Sequence, residues 1–171
     1  MLSALPAWRR EQALRFRHLS GQRDCALSYL LLCQLLQQEY GITQQPAFVY
    51  GTDGKPSLAE FPQIHFSISH CRTAVGCLVA DRPCGLDIES LRPFRQSLVD
   101  HTMNLQERQQ IAKSPNPQVE FLRFWTQKEA LLKLRGTGIV GNLQDTLTPS
   151  SLQGVTLTTT VQPHYVYSIA L

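Results

Sequence analysis

Two periodicities alternate along this chain of 171 residues. Between Arg23 and Tyr40, apolar residues recur at Leu27, Leu30, Leu31, Leu35 and Leu36, the spacing of a helical face, and Gly41 supplies a stop. The basic segment from Arg9 to Phe16 before it is also expected to be helical. Ala47 to Tyr50 reads as a short strand, followed by a Gly51-Thr52-Asp53-Gly54 loop. Ile64 to Ser69, Ala74 to Ala80 and Gly85 to Glu89 read as three strands, with a turn at Asp81-Arg82-Pro83. Gln96 to Ala112 is expected to form one helix, broken by Ser114-Pro115-Asn116-Pro117. Val119 to Leu134 is strongly helical and is closed by Gly136. Val155 to Val161 and Tyr165 to Leu171 flank Gln162-Pro163 and read as an antiparallel pair. Each half thus carries helix and strand, which predicts an α+β fold of two similar lobes, residues 1–83 and 84–171, with antiparallel sheets packed against helices.

Composition narrows the function classes. Hydrophobic residues make up 43% and charged residues 17%, enough for a core and against disorder. Sixteen basic and thirteen acidic residues leave a net charge of +3, and the basic residues are scattered rather than striped, which argues against nucleic acid. The longest apolar run, Tyr29 to Cys33, falls far short of the roughly twenty residues a membrane span needs. Arg9-Arg10 follow the short apolar start instead of preceding it, so no targeting segment is read. The five cysteines, Cys25, Cys33, Cys71, Cys77 and Cys84, are odd in number and form no C-x-x-C pair. A reduced, cytoplasmic protein is expected. His65, His70, Cys71, Cys77 and Cys84 match no standard zinc spacing.

Three segments can carry chemistry. In Gly85-Leu86-Asp87-Ile88-Glu89, strand geometry puts Asp87 and Glu89 on one face. Paired carboxylates repel, and a hard cation such as Mg²⁺ would relieve that repulsion. The plain alternative is an acidic outer face of a strand. In the stretch Trp125-Thr126-Gln127-Lys128-Glu129-Ala130-Leu131-Leu132-Lys133, Phe121, Trp125 and Leu132 share one side of a helix, and Lys128 projects among apolar neighbours. A lysine so set calls for an anion, or else snorkels to water. Glu129 and Lys133, at the edge of that stripe, read equally as an exposed ion pair. In His65-Phe66-Ser67-Ile68-Ser69-His70, Ser67 and Ser69 share a face and His70 ends the strand. Such hydroxyls and an imidazole, with Lys55 nearby, can hold a phosphate, or can be ordinary strand polarity. Ser69 lies in no G-x-S-x-G elbow, so serine-nucleophile catalysis is not indicated.

Taken in order, Gly54-Lys55-Pro56, Phe66-Ser67-Ile68-Ser69-His70, Gly85-Leu86-Asp87-Ile88-Glu89 and Trp125-x-x-Lys128-Glu129-Ala130-x-x-Lys133 with Gly136-x-Gly138-Ile139 resemble the 4'-phosphopantetheinyl transferase superfamily. The likeness runs from about Gln22 to Ile139 and is to the two-lobed, surfactin-synthetase-activating type. It implies a pseudo-twofold fold and transfer of the phosphopantetheine arm of coenzyme A to a serine of an apo acyl or peptidyl carrier protein. Adenosine 3',5'-bisphosphate is the product released. It also implies Mg²⁺, or Mn²⁺, held by Asp87, Glu89 and Glu129. Catalytic roles fall to Glu129 (the base for the incoming serine), Lys133 and Asp87. Arg23, Lys55, Ser69, His70, Lys128 and Lys133 are the implied coenzyme A ligands. Ala130 and Ser67 depart from the serine and asparagine that many members carry. Only 32 residues follow Ile139, from which a more open site is expected.

The expected partners are the carrier protein and coenzyme A, with no nucleic acid and no membrane. Two lobes in one chain already supply the interface that the single-lobe type gains by trimerising, so a monomer is expected. Carriers of this class are acidic, so the segment with Arg92, Arg95, His101 and Met103 is a candidate docking surface. It reads equally as a solvated connecting helix. The competing functions are a catalytically silent coenzyme A or carrier-protein binding module and a metal-dependent phosphohydrolase.

Overall fold

The structure, a computed structural model, describes residues 1–51, 54–138 and 141–171. Thr52 and Asp53 of the expected loop, and Ile139 of the last family segment, lie outside the described residues. The elements are α1 (Ala7–Leu14), α2 (Leu19–Tyr40), β1 (Phe48–Tyr50), β2 (Pro56–Leu58), β3 (His65–His70), β4 (Val75–Ala80), β5 (Gly85–Ser90), α3 (Gln96–Thr102), α4 (Leu105–Lys113), α5 (Pro117–Arg135), β6 (Leu157–Val161) and β7 (Tyr165–Ala170). The fold is α+β, with antiparallel sheets ordered β1-β2, β3-β4 and β5-β7-β6. No helix among the described residues is long and apolar enough to cross a membrane.

Three expectations need correction. The buried stripe of α2 is Cys25, Ala26, Tyr29, Leu32 and Leu36, while Leu27, Leu30, Leu31 and Leu35 are only half-buried. The helix is apolar over much of its circumference, so periodicity alone admits more than one core face. The single helix expected over Gln96–Ala112 is two helices. Asn104 starts the second: its Oδ1 accepts from Glu107 N–H at 2.9 Å, and Glu107 Oε2 accepts from Asn104 N–H at 2.8 Å. This capping box satisfies donors that an uninterrupted helix would bond elsewhere. Strand β2 was not expected, because it is three residues long and begins with proline, a residue confined to strand edges and ends.

The N-terminal elements pack around two apolar clusters. One joins Leu5, Ala13, Cys25, Ala26 and Tyr29, and the other joins Leu32, Leu36, Leu58, Ile64 and Phe66. The C-terminal elements bury Val99, Met103, Ile111, Phe121, Leu122 and Val166 together. The two groups meet where β3 and β5 run alongside each other. There is no backbone ladder between them. Ser67 Oγ accepts from Leu86 N–H at 2.9 Å and Ser69 Oγ accepts from Ile88 N–H at 3.1 Å. The constant offset makes the strands parallel, and the two hydroxyls take the place of ladder carbonyls. On the other face of β5, Leu86 and Ile88 fill the space left by the missing side chain of Gly76 on β4.

Helix α5 begins at Asn116, whose Oδ1 accepts from Val119 N–H at 3.2 Å, with Pro117 in the first turn. It ends at Gly136, whose φ of 76° suits glycine. Its backbone lies directly on Gly85. A Cβ at Gly85 would overlap the Ala130 carbonyl oxygen and sit 2.6 Å from the Leu134 nitrogen. Neither neighbour is a movable side chain. Gly85→Ala is therefore expected to lower unfolding free energy by about 2–4 kcal/mol, more than a typical exposed substitution. Denaturant unfolding checks this. A change below about 0.5 kcal/mol would mean that α5 can withdraw freely from β5.

Candidate active site

The close approach at Gly85 sets which side chains of α5 reach β5. Asp87, Glu89 and Gly85 face the helix. Asp87 is buried, and its Oδ1 receives two groups: Lys133 Nζ at 2.6 Å and Ser69 Oγ at 3.0 Å. Lys133 Nζ also donates to Ser69 Oγ at 3.0 Å. With Ile88 N–H as well, Ser69 Oγ gives its one proton and accepts two, which is its full capacity. Asp87 Oδ2 is buried and has no hydrogen-bond partner. A buried carboxylate oxygen without a donor is costly.

The other two carboxylates crowd the same charge. Glu89 Oε1 accepts from Trp125 Nε1 at 3.3 Å, and Arg92 stands 3.6 Å from its Oε2. Burial, and then the Asp87 charge, push the Glu89 carboxyl above the ordinary carboxylate range, while Arg92 and the indole pull it partway back. Burial and Asp87 also raise Glu129, against a pull from Lys133. Among the described residues, no three histidine, cysteine, aspartate or glutamate side chains come together closely enough to hold a metal by themselves. Asp87, Glu89 and Glu129 are coupled through their charges. The set still fits a hard cation that takes one or two carboxylates and completes its shell with phosphate oxygens. The unpartnered Oδ2 is the observation behind that fit.

The remaining expected residues divide. Arg23 and His70 do come together, around a residue the sequence reading missed. Asp24, buried on α2, accepts from Arg23 Nε at 2.9 Å and lies 3.9 Å from His70 Nδ1. Nothing in the linear pattern distinguishes Asp24 from a solvated helix residue. Lys128 belongs elsewhere. Its ammonium pairs with Glu107 at 2.8 Å and donates to the Leu143 carbonyl at 2.8 Å, with both partners of the ion pair almost wholly buried. The anion that an apolar helix face demanded is thus Glu107 of α4, and Lys128 is committed there instead of facing Asp87. Lys55 is likewise engaged. Its Nζ donates to the carbonyls of Cys84 at 3.2 Å, Lys133 at 2.5 Å and Leu134 at 3.2 Å. Burial lowers its pKa. Met103, expected in the docking segment, is fully buried in the C-terminal core.

Two cavities adjoin the charged group, one at Lys133 and one at Glu89. One of about 270 Å³ is lined by Lys55, Pro56, Phe66, Ser67, Lys133 and Gly136, so both groups of elements wall it. Another of about 700 Å³ lies on the Glu89 side, between Arg92, Phe94, Arg95, Leu98, His101 and Trp125.

Residues 83–169 match the family model described as the 4'-phosphopantetheinyl transferase superfamily. The chain is 32% identical over 134 residues to the 4'-phosphopantetheinyl transferase psf-1 of Bacillus pumilus, covering 77% of this chain and 58% of that protein. It is 30% identical over 144 residues to a 4'-phosphopantetheinyl transferase of Bacillus subtilis, covering 81% and 63%. It is 36% identical over 96 residues to the 4'-phosphopantetheinyl transferase AcpT of Salmonella typhimurium, covering 53% and 50%. The chain thus spans less than two thirds of the length of these relatives.

The crowded carboxyls make a prediction about stability. Glu89 and Glu129 hold their protons more tightly in the folded chain than in the unfolded one. Their contribution to folding is complete below the ordinary carboxylate value and is lost as pH rises through the raised ones. Glu129→Gln stays neutral, so without divalent cation it is expected to melt above wild type at pH 7. The difference should vanish below about pH 4. Calorimetry across that range checks it, and identical melting of the two proteins at pH 7 would contradict the charge crowding.

Proposed function

The chain belongs to the 4'-phosphopantetheinyl transferase superfamily, and from that premise we propose that it transfers the 4'-phosphopantetheine arm of coenzyme A to a carrier protein. The carrier serine Oγ attacks the phosphorus that bears the pantetheine. The bond from that phosphorus to the bridging pyrophosphate oxygen breaks, and adenosine 3',5'-bisphosphate departs with that oxygen. The observation that carries the reading is the Asp87–Lys133–Ser69 group, with Asp87 Oδ2 unpartnered, beside a cavity that Lys133 also lines.

Each residue's role follows from its surroundings. Lys133 is anchored by Asp87 but a third exposed, so its charge can face the leaving group. Glu129, with its pKa raised, is a better proton acceptor than an ordinary carboxylate and takes the serine proton. Ser69, with its hydrogen bonds filled, orients Asp87 and does not grip phosphate. Arg23 and His70, both half exposed around Asp24, are the proposed contacts for the coenzyme's 3'-phosphate. Lys128 leaves the ligand set. Asp87 with Glu89 or Glu129 would hold Mg²⁺ or Mn²⁺, and that cation, when bound, supplies positive charge to the pyrophosphate oxygens. The other residues position the reactants, which is most of what phosphoryl transfer requires. The division at residues 83 and 84, action as a single chain, and a reducing, cytoplasmic setting suited to five free cysteines complete the proposal.

Intact-mass spectrometry of an apo acyl carrier protein, incubated with the chain, coenzyme A and Mg²⁺, tests the reading. A gain of one phosphopantetheine, absent with EDTA, is expected. Asp87→Ala and Glu129→Ala should each cut the rate by about 10²–10³-fold while the far-ultraviolet circular dichroism stays unchanged. No gain on several carriers, with coenzyme A still bound, would make the chain a binding module instead.

The cavity beside Glu89 is the proposed seat of the carrier, because Arg92, Arg95 and His101 are exposed around it and face an acidic partner favourably. Arg92 also neighbours Glu89, so Arg95→Glu is the cleaner probe. It should raise the KM for carrier several-fold and spare coenzyme A affinity. An unchanged carrier KM would remove the assignment.

A further inference from the structure

Lys55 holds the backbone beneath both members of the Lys133–Asp87 pair. Two of its three N–H groups go to the last turn of α5, to the carbonyls of Lys133 and Leu134. The third goes to the carbonyl of Cys84, the residue before β5 begins at Gly85. A cation at a helix C-terminus satisfies carbonyls that have no partner within the helix and faces the negative end of its dipole. Next along the chain, Gly136 packs so closely that a Cβ there would lie 3.2 Å from Lys55 Cδ. All three ammonium protons are therefore spent on backbone, and a phosphate could claim Lys55 only by stripping these carbonyls. The neighbouring residues Gly54 and Pro56 line the same cavity as Lys133 and Gly136. One side chain thus spans from one wall of that cavity to the other.

We propose that Lys55 is a positioning residue, which pins the end of α5 to the start of β5 and so sets where Lys133 and Asp87 meet. It acts through those backbones and does not bind the coenzyme's phosphates. The consequence for turnover rests on the transferase reading, whereas the pinning itself does not.

Two readouts on the purified chain test this. The first is hydrogen–deuterium exchange of the free protein, with no ligand. Lys55→Met keeps the aliphatic stem and removes the donors. It should speed exchange several-fold in peptides covering residues 131–138 and leave those covering β3 and β4 unchanged. Lys55→Arg, which again offers donors to the carbonyls, should restore most of the protection. If Lys55→Met does not fold, Lys55→Gln carries the same comparison with fewer donors. The second readout is steady-state transfer to an apo carrier. Displacing Lys133 from its working position should lower kcat by roughly 10–100-fold, with the carrier KM unaltered and recovery in Lys55→Arg. Unchanged exchange with a raised KM for coenzyme A would make Lys55 a direct ligand and overturn the proposal. Faster exchange with unaltered kcat would overturn the positioning role. Absence of transfer by wild type would overturn the transferase reading and the role in turnover, while the exchange result would still decide the pinning.

Discussion

Helix α5 can rest on strand β5 only because Gly85 has no side chain, and the arrangement of charges follows from that approach. Passing along α5 from Trp125 to Leu134 is passing back along β5 from Glu89 to Gly85. Trp125 meets Glu89, Lys133 meets Asp87, and the Ala130 carbonyl and Leu134 nitrogen meet Gly85 itself. Withdrawing the helix by the width of a methyl group would lengthen each of these contacts together. The glycine therefore acts on chemistry through geometry. It also explains why an acidic strand with an alternating pattern starts on a residue that by itself weakens strands.

Charges brought so close must be balanced or endured. Lys133 and Ser69 both serve Asp87 Oδ1, and this leaves Oδ2 with nothing. Glu89 and Glu129 add like charge in a half-buried setting, and their raised pKa values record the strain. A site built only for stability would have matched each carboxylate with its own close cation, as the chain does at Lys128 and Glu107. That pair is almost wholly buried, matched one to one, and further bonded through the Leu143 carbonyl and the Asn104 cap. The two clusters sit on the same helix, yet one is closed and the other is left short of positive charge.

Much of this was legible in the sequence, and the misses have physical causes. Alternation marks β3 and β5 because each keeps a polar and an apolar face, whereas β4 is a short apolar run bounded by turn residues, and the paired carboxylates follow from the alternation of β5. The break inside Gln96–Ala112 was written in Asn104 and Glu107 as a capping box, a local signal that periodicity overrode. Lys128 on its apolar face calls for an anion or for a route to water, and the anion it has lies twenty-one residues away on another helix. No spacing rule joins two helices whose crossing is unknown. Lys55 reads as a nucleotide-side contact from its charge and from the Gly54-Lys55-Pro56 segment. Its partners are backbone carbonyls, which every residue carries and no side-chain pattern announces. Asp24 escaped for the converse reason: an acid beside an arginine on a helix is ordinary until tertiary packing buries it.

The serine stitch between β3 and β5 completes the argument. A backbone ladder would have joined the two strands with every donor and acceptor used internally. A hydroxyl instead accepts the strand's N–H and still has a proton to give, and Ser69 gives it to Asp87. The seam between the two groups of elements is thus part of the charged site. The family model covers residues 83–169, which hold Asp87, Glu89, Glu129 and Lys133. Ser69 and Lys55 lie before that span, yet one bonds the side chains of Asp87 and Lys133 and the other bonds the backbone at Lys133 and just before β5. The reactive groups come from one part of the chain and their alignment from the other. A substitution on the N-terminal side can therefore impair the site without touching any carboxylate.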